Sequence, residues 1–156
     1  MKNSDAMLPG LLAEIKQLAL SKIPREDRLM NICRLLKEKV PHYNWVGFYL
    51  VDEANERELI LGPYVGAPTD HVRIPFGKGI CGQAAETGEV FVIDDVTNES
   101  NYLSCSINVK SEIVLPIFRH GQFIGELDID SHTPAAFTGH DQKFLNSVCE
   151  IAAGII

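Results

Sequence analysis

The spacing of the apolar residues changes near residue 44, and this change limits what the chain can fold into. Before that point, apolar residues repeat at helical spacing in two segments: Leu11, Ile15 and Leu18, then Leu29, Ile32, Cys33, Leu36 and Val40. After it come short segments rich in β-branched and aromatic residues: NWVGFYLVD, RELILGPYV, HVRIPFG, EVFVIDD, SEIVLPIFR and QFIGELDIDS. Pro24 ends the first helix or begins the second, which stops before Pro41. The pattern predicts two helices followed by a sheet.

Turn residues and a last helical segment complete the expected architecture. Tight hairpins are predicted from Asp52 to Arg57 and at His120-Gly121, and a short helix between Gly79 and Gly88. A longer C-terminal helix is capped by Thr138. Its apolar face consists of Phe144, Leu145, Val148, Cys149, Ala152 and Ile155. The sequence therefore predicts one α+β domain over residues 1–156, with helices at both ends of a central, mostly antiparallel sheet of about six strands.

Charge and composition exclude several classes of function. Lys and Arg number 14 against 21 Asp and Glu, so the net charge is −7. An acidic chain without a basic run is a poor candidate for binding nucleic acid or anionic membranes. No apolar run approaches the ~20 residues of a membrane span, and the N-terminal MKNSDAMLPG lacks the apolar core of a secretory signal. We therefore expect a cytoplasmic protein.

The four cysteines are expected to be thiols, because disulfides are rare in the cytosol. They include no C-x-x-C pair, which argues against a structural zinc site. Cys33 and Cys149 fall within apolar helical faces and are predicted to be core residues. Cys105 lies in the polar segment from Val96 to Lys110, about as long as loops without structure of their own become, and this favours a functional thiol.

The segment from Gly77 to Gly82 matches the pattern G-x-G-x-x-G of dinucleotide-binding turns. The helix that follows ends by Gly88, which is too short for the crossover helix that such a site requires. We therefore interpret the glycines as a tight turn. Cys81 then lies at a helix N-terminus, where it is either a small packing residue or a thiolate favoured by the helix dipole; the pattern leaves both open.

Three acids and two aromatic residues form a second candidate constellation. In a strand, alternation places Asp128 and Asp130 on one face, about 7 Å apart. Glu112 heads an apolar strand, where burial would raise its pKa. Trp45 and Tyr49 share a face of another strand and could form the wall of a pocket for a soft or partly cationic group. The alternatives are a solvated face for the acids and a core position for the aromatic pair.

Several stretches resemble the GAF-domain free methionine-(R)-sulfoxide reductases, from Asn44 to the C-terminal helix. The matching stretches are NWVGFYLV, LILGPYVG, VRIPFGKGICGQAAET, SEIVLPI and GELDIDS. SEIVLP followed by LDIDS is the most specific pair, because general GAF sensor domains do not keep both. The resemblance implies a single GAF domain over residues 1–156, with the N- and C-terminal helices packed together.

The family's functional positions fall on residues already singled out. The resemblance implies that Cys105 is the nucleophile, that Cys81 is the cysteine of the glycine loop, and that substrate-binding positions are Glu112, Asp128, Asp130, Trp45 and Tyr49. The acids would hold the ammonium and sulfoxide ends, and the aromatic residues would face the S-methyl group. Relatives usually read A-C-V-R-I-P where this chain has DHVRIP, so His71 replaces the cysteine that commonly resolves the sulfenic acid.

The predicted activity is reduction of free L-methionine (R)-S-oxide through a sulfenic acid on Cys105, with Glu112 or an aspartate as general acid. Cys81 would then be the intramolecular resolving thiol, and thioredoxin or another thiol would reduce the product. No metal or organic cofactor is expected. Alternatives are a non-catalytic GAF module that binds a small ligand and, with less support, a Cys105/His71 hydrolase. The oligomeric state stays open, with a homodimer as one outcome.

Overall fold

Four α-helices and six strands occur in residues 2–99 and 108–156, the part of the chain that the computed structural model describes. The helices are α1 (Lys2–Ala19), α2 (Arg25–Lys39), α3 (Gly79–Thr87) and α4 (Gly139–Ala153). The strands are β1 (Trp45–Asp52), β2 (Asn55–Val65), β3 (Arg73–Pro75), β4 (Phe91–Ile93), β5 (Ser111–Arg119) and β6 (Gln122–Ser131).

The strands form one sheet in the order β3-β2-β1-β6-β5-β4. Every neighbouring pair is antiparallel. Strand β6 is therefore central, with β1 on one side and β5 on the other. This confirms the predicted α+β class, the mostly antiparallel sheet and the number of strands.

Local sequence explains where the elements begin and end. Thr138 caps α4 in a capping box with Asp141, in which each side chain accepts a hydrogen bond from the other residue's backbone N–H. His120 and Gly121 have φ values of 53° and 77°, the left-handed pair that a type I′ hairpin turn requires. The first hairpin is tighter than predicted, because β2 already begins at Asn55.

The sequence predicts no regular structure from Val96 to Lys110, but this segment begins with a 3₁₀ turn over Val96–Asn98. The Asp95 side chain caps the turn by accepting a hydrogen bond from the Thr97 N–H. That part of the prediction is wrong, because an Asx-type cap satisfies the backbone there. Residues 100–107, which include Cys105, lie outside the described part of the chain.

The sheet separates a large apolar core from a smaller cluster. Helices α1, α2 and α4 cover one face, and α1 packs against α4, which confirms the predicted contact of the terminal helices. Cys33 and Cys149 are buried in this core as free thiols, as expected. Helix α3 covers the other face. None of the described helices is long and apolar enough to cross a membrane.

Candidate active site

Strand β6 presents two different chemistries to the two faces of the sheet. Leu127 and Ile129 lie in the large apolar core. Asp128 and Asp130 alternate with them and lie under α3, only 5% and 3% exposed. The interpretation of these acids as a solvated face is therefore wrong, and the predicted shared face is confirmed. Glu126, two residues earlier, is fully buried on the same side.

Glu112 joins the same group of acids from the adjacent strand. It is opposite Asp130 in the register of β5 and β6, and its carboxyl group hydrogen-bonds with the aspartates. Burial raises the pKa of Glu112 well above its ordinary value, and the negative charges of Asp128 and Asp130 raise it further. Burial also raises the pKa of Asp128, although its hydrogen bonds with Glu112 and Cys81 oppose the shift. The direction of these shifts favours a protonated carboxyl within this group of acids, and burial raises the pKa of Glu126 on the same face well above its ordinary value as well.

Trp45 and Tyr49, for which a pocket wall and a core position were both open, are buried in the smaller apolar cluster and also line the cavity. Their rings stack with centroids 6.4 Å apart and planes 26° from parallel. The indole N–H of Trp45 donates to the carbonyl of Ala67 at 3.0 Å, and the Tyr49 hydroxyl donates to the carbonyl of His71 at 2.9 Å. Both rings are thus fixed to the segment between β2 and β3. The polar tips are satisfied, and both residues line the cavity.

Two glycines make room for the Trp45 indole. A Cβ atom at Gly47 would lie 2.5 Å from the indole ring, and one at Gly66 would lie 2.6 Å from it. Gly66 also has a φ of 140°, which side-chain-bearing residues rarely adopt. The orientation of Trp45 therefore depends on the absence of side chains at these two positions.

Helix α3 is brought onto the sheet by the glycine-rich turn. Gly77 and Gly79 have φ values of 88° and 65°, and a Cβ atom at Gly82 would lie 2.6 Å from the carbonyl oxygen of Pro75. The helix has nine residues and ends at Gly88 in the left-handed conformation. The tight-turn interpretation is therefore confirmed, and a crossover helix is absent from this part of the chain.

Cys81 lies at the start of α3 as a buried free thiol. Burial raises its pKa well above the ordinary value, and the charges of Asp128, Glu126, Glu112 and Asp130 raise it further. Of the two interpretations that the pattern left open for Cys81, the raised pKa favours the small packing residue over the thiolate. The dipole of a short helix is equivalent to about half a charge, which does not offset desolvation and several nearby carboxylates.

The predicted residues enclose one small cavity of about 10 Å³, room for about one water molecule. Its lining consists of Trp45, Tyr49, His71, Ile74, Lys78, Gly79, Ile80, Cys81, Glu112, Asp128 and Asp130. Six of the seven predicted site residues thus meet here, and the seventh, Cys105, lies outside the described residues. Glu126 was not among the predicted site residues, although the strand alternation that places Asp128 on this face also places Glu126 there.

Comparisons with known proteins support the observed fold. The GAF domain family matches residues 24–156. The free methionine-R-sulfoxide reductase of Saccharomyces cerevisiae is 33% identical over 154 residues, covering 96% of this chain and 85% of that protein. The free methionine-R-sulfoxide reductase of Neisseria meningitidis, solved in complex with its substrate, has a TM-score of 0.89 at 37% identity, covering 97% of this chain and 89% of that one. A putative GAF sensor protein from Burkholderia vietnamiensis has a TM-score of 0.87 at 31% identity, covering 96% and 93%.

Proposed function

Since this chain belongs to the GAF-domain family that includes the free methionine-(R)-sulfoxide reductases, we propose that it reduces free L-methionine (R)-S-oxide to methionine. The observation that carries the proposal is the meeting of three buried acids and a stacked aromatic pair in one cavity. The acids Glu112, Asp128 and Asp130 suit an ammonium group. Trp45 and Tyr49 suit a methyl group on a polarised sulfur.

The electrostatics of the acids support two separate roles within one site. A carboxylate that stays charged attracts the ammonium group of a free amino acid. The carboxyl of Glu112, whose pKa is raised by burial and by its neighbours, carries a proton that it can donate to the sulfoxide oxygen. Two groups with different proton affinities in one pocket are the usual arrangement for binding and acid catalysis together.

In the proposed reaction, the Cys105 thiolate attacks the sulfoxide sulfur while an acid, in our assignment Glu112, protonates the oxygen. The attack forms a bond between the Cys105 sulfur and the sulfoxide sulfur. The hydroxyl oxygen then transfers to the Cys105 sulfur while the S–O bond and the new S–S bond to the substrate both break, so methionine leaves with the electron pair and Cys105 becomes a sulfenic acid. A second thiol then attacks that sulfur, forming a disulfide and releasing water. Reduction of the disulfide by thioredoxin or another thiol completes the cycle, and no metal or organic cofactor takes part.

We assign Cys81 as the resolving thiol, because it lines the cavity and His71 cannot form a disulfide. The raised pKa of Cys81 means that it must lose its proton before attack. Resolution should therefore accelerate as the pH rises. Direct attack by an external thiol is the alternative route. A cytoplasmic location agrees with the free thiols of Cys33, Cys81 and Cys149, and the homodimer stays a prediction.

The activity is tested with racemic free methionine sulfoxide and dithiothreitol, following each epimer separately. We expect loss of the R epimer alone. Cys105→Ser should abolish turnover, whereas Cys149→Ala, which removes a buried thiol from the opposite face of the sheet, should keep it. Persistence of the R epimer with the wild-type protein would contradict the proposal.

The role of Cys81 is tested by comparing two reductants. Cys81→Ala should reduce thioredoxin-driven turnover more than dithiothreitol-driven turnover, because a small thiol can reach the sulfenic acid directly. An equal loss with both reductants would overturn the assignment of Cys81 as the resolving thiol.

A second candidate function is a non-catalytic module that binds a small ligand. It is favoured by His71 at the position where relatives usually carry a cysteine, and by the likeness to a putative GAF sensor protein. Calorimetric binding of methionine sulfoxide without turnover under any reductant would support this function over the reductase.

A further inference from the structure

We propose that Cys81, Glu112 and Asp128 form a binding site for Zn²⁺, and that the bound ion excludes the substrate's ammonium group. The proposal that these side chains bind Zn²⁺ does not depend on reductase activity. The proposal that the ion inhibits substrate binding rests on the proposed function. The proposed Zn²⁺ is a regulator of the cavity and supplies no chemistry to the reduction.

The positions of the three side chains carry the proposal. The Cys81 sulfur and one carboxylate oxygen each from Glu112 and Asp128 all lie within 4.8 Å of one another. A tetrahedral Zn²⁺ with ordinary Zn–S and Zn–O bond lengths holds such atoms about 3.6 Å apart. Each pair of ligand atoms therefore needs to approach by at most about 1.2 Å, which small rotations about side-chain bonds can supply. The three residues come from α3, β5 and β6, so the backbone around them is ordered secondary structure.

A second observation points independently to a cationic ligand. Glu112 Oε1 and Asp128 Oδ1 are buried without a hydrogen-bond partner among the described residues. The two side chains are 3% and 5% exposed and line the cavity. A buried acceptor without a partner costs free energy, and a coordinated cation would remove that cost at both oxygens.

The charge around the cavity favours the same ligand. Asp130 lines the cavity beside the three proposed ligands, and buried Glu126 lies on the same face. Among the residues that line the cavity, Lys78 carries a positive charge, and its side chain is exposed. A divalent ion would replace the protons that burial and mutual repulsion now keep on these acids.

The binding step is an exchange of ions without any oxidation. The Cys81 S–H bond breaks, its proton passes to solvent, and a sulfur–zinc bond forms; Glu112 likewise releases its proton. Affinity should therefore increase as the pH rises. One thiolate with two carboxylates suits Zn²⁺ and Co²⁺ and not Mg²⁺ or Ca²⁺, which prefer sets made only of oxygen. Water fills the fourth position.

The test uses Co²⁺ as a spectroscopic substitute for Zn²⁺ in a Cys105→Ser background, which removes the other candidate thiol. We expect a thiolate-to-cobalt charge-transfer band that saturates at one ion per chain and disappears on addition of Zn²⁺. Adding Cys81→Ala should abolish the band. Adding Cys149→Ala instead should preserve it, because that equally buried thiol faces the opposite core.

Asp128→Asn provides a second variant that leaves the thiol in place, and we expect its Co²⁺ affinity to fall at least tenfold. Circular dichroism checks that each variant is folded. A band that survives the loss of Cys81, or no band in the folded Cys105→Ser protein, would overturn the site. In wild-type turnover assays Zn²⁺ should raise the apparent KM with kcat unchanged. If turnover is absent but the cobalt band behaves as expected, the reductase proposal fails and the metal site stands.

Discussion

The two faces of the central sheet use the same strands for opposite purposes. Toward α1, α2 and α4, β6 presents Leu127 and Ile129 to a continuous apolar core. Toward α3, the next residues along the same strand are Asp128 and Asp130, buried in a cavity with other acids. Alternation places adjacent residues of one strand in environments of different polarity. The leucine and isoleucine therefore stabilise the fold, whereas the two aspartates are buried close to other acids that repel them when charged.

The pKa values of buried carboxyl groups shift in opposite directions on the two faces of the sheet. On the side of α4, burial alone would raise the pKa of Asp141. Hydrogen bonds with His42, with the Tyr43 hydroxyl and with the Thr138 N–H outweigh burial and lower it to about 2. On the α3 side, Glu112 has acids for neighbours and its pKa is raised. Burial therefore does not set the charge of a carboxyl group; the groups buried with it do.

The largest expected effect is a difference in the free energy of unfolding between substitutions of two adjacent residues, one on each face of the sheet. Leu127→Ala should lower the free energy of unfolding by about 3 kcal/mol, because it removes a fully buried side chain from the helical core. Asp128→Asn should change it by less than about 1 kcal/mol, because relief of the strain among the acids offsets the lost hydrogen bonds. Urea denaturation measures both. Equal destabilisation by the two substitutions would remove the distinction between the faces.

The next effect concerns the ionised acid on the core side. Asp141→Asn should lower the free energy of unfolding at pH 7 by about 2 kcal/mol, because the lowered pKa measures how strongly the folded state favours the charged form. This stability is present above the unfolded pKa near 3.8 and is lost as the pH falls toward about 2. The difference between the two proteins should therefore shrink over that interval. Substitution of the exposed Asp70 by Asn is the control for the removal of one carboxylate from the surface.

The contribution of Glu112, the acid on the cavity side, to the free energy of unfolding should show the opposite dependence on pH. The raised pKa of Glu112 means that the folded state retains a proton which the unfolded state has lost. The free energy of unfolding should fall by about 1.4 kcal/mol per pH unit for each such proton, from pH 4.5 upward until the folded pKa is passed. Glu112→Gln should flatten this decline, which denaturation at pH 5 and pH 8 would reveal. A decline that is unchanged in the variant would contradict the assignment of the proton to Glu112.

The smallest effect concerns the aromatic wall. Tyr49→Phe keeps the ring but removes the hydrogen bond to the carbonyl of His71, which should cost about 1 kcal/mol of unfolding free energy. If the ring position controls substrate binding, KM should rise a few-fold with kcat unchanged. A large fall in kcat would show instead that the hydroxyl takes part in the reaction.

Much of the fold was predictable because its signals are local. The change of hydrophobic period near residue 44, the Thr138 cap and the His120-Gly121 turn each depend on a few neighbouring residues. The start of β2 and the 3₁₀ turn at Val96 were missed. Pairing partners and a single side-chain cap decide such boundaries, and the apolar pattern does not contain that information.

The candidate site was predictable to a smaller extent. Alternation correctly placed Asp128 and Asp130 on one face, and the same rule could have identified Glu126. The pattern left a packing residue and a thiolate open at Cys81, because local sequence describes only the helix that carries it. Burial raises the pKa of Cys81 most, and the acids that raise it further come from strands 30 to 50 residues later in the chain. The assignment of Cys105 as nucleophile stays a prediction.

The sequence by itself determined the α+β class, the faces of each strand and the kinds of side chain available for chemistry, because period and turn propensity are properties of short segments. Only the tertiary structure decided that β6 lies between β1 and β5, so that Trp45, Glu112 and Asp128 line one cavity. It also decided that α3 closes over them, which depends on the contact of Gly82 with Pro75. The burial that results raises the pKa of the acids, and it depends on how the whole chain packs.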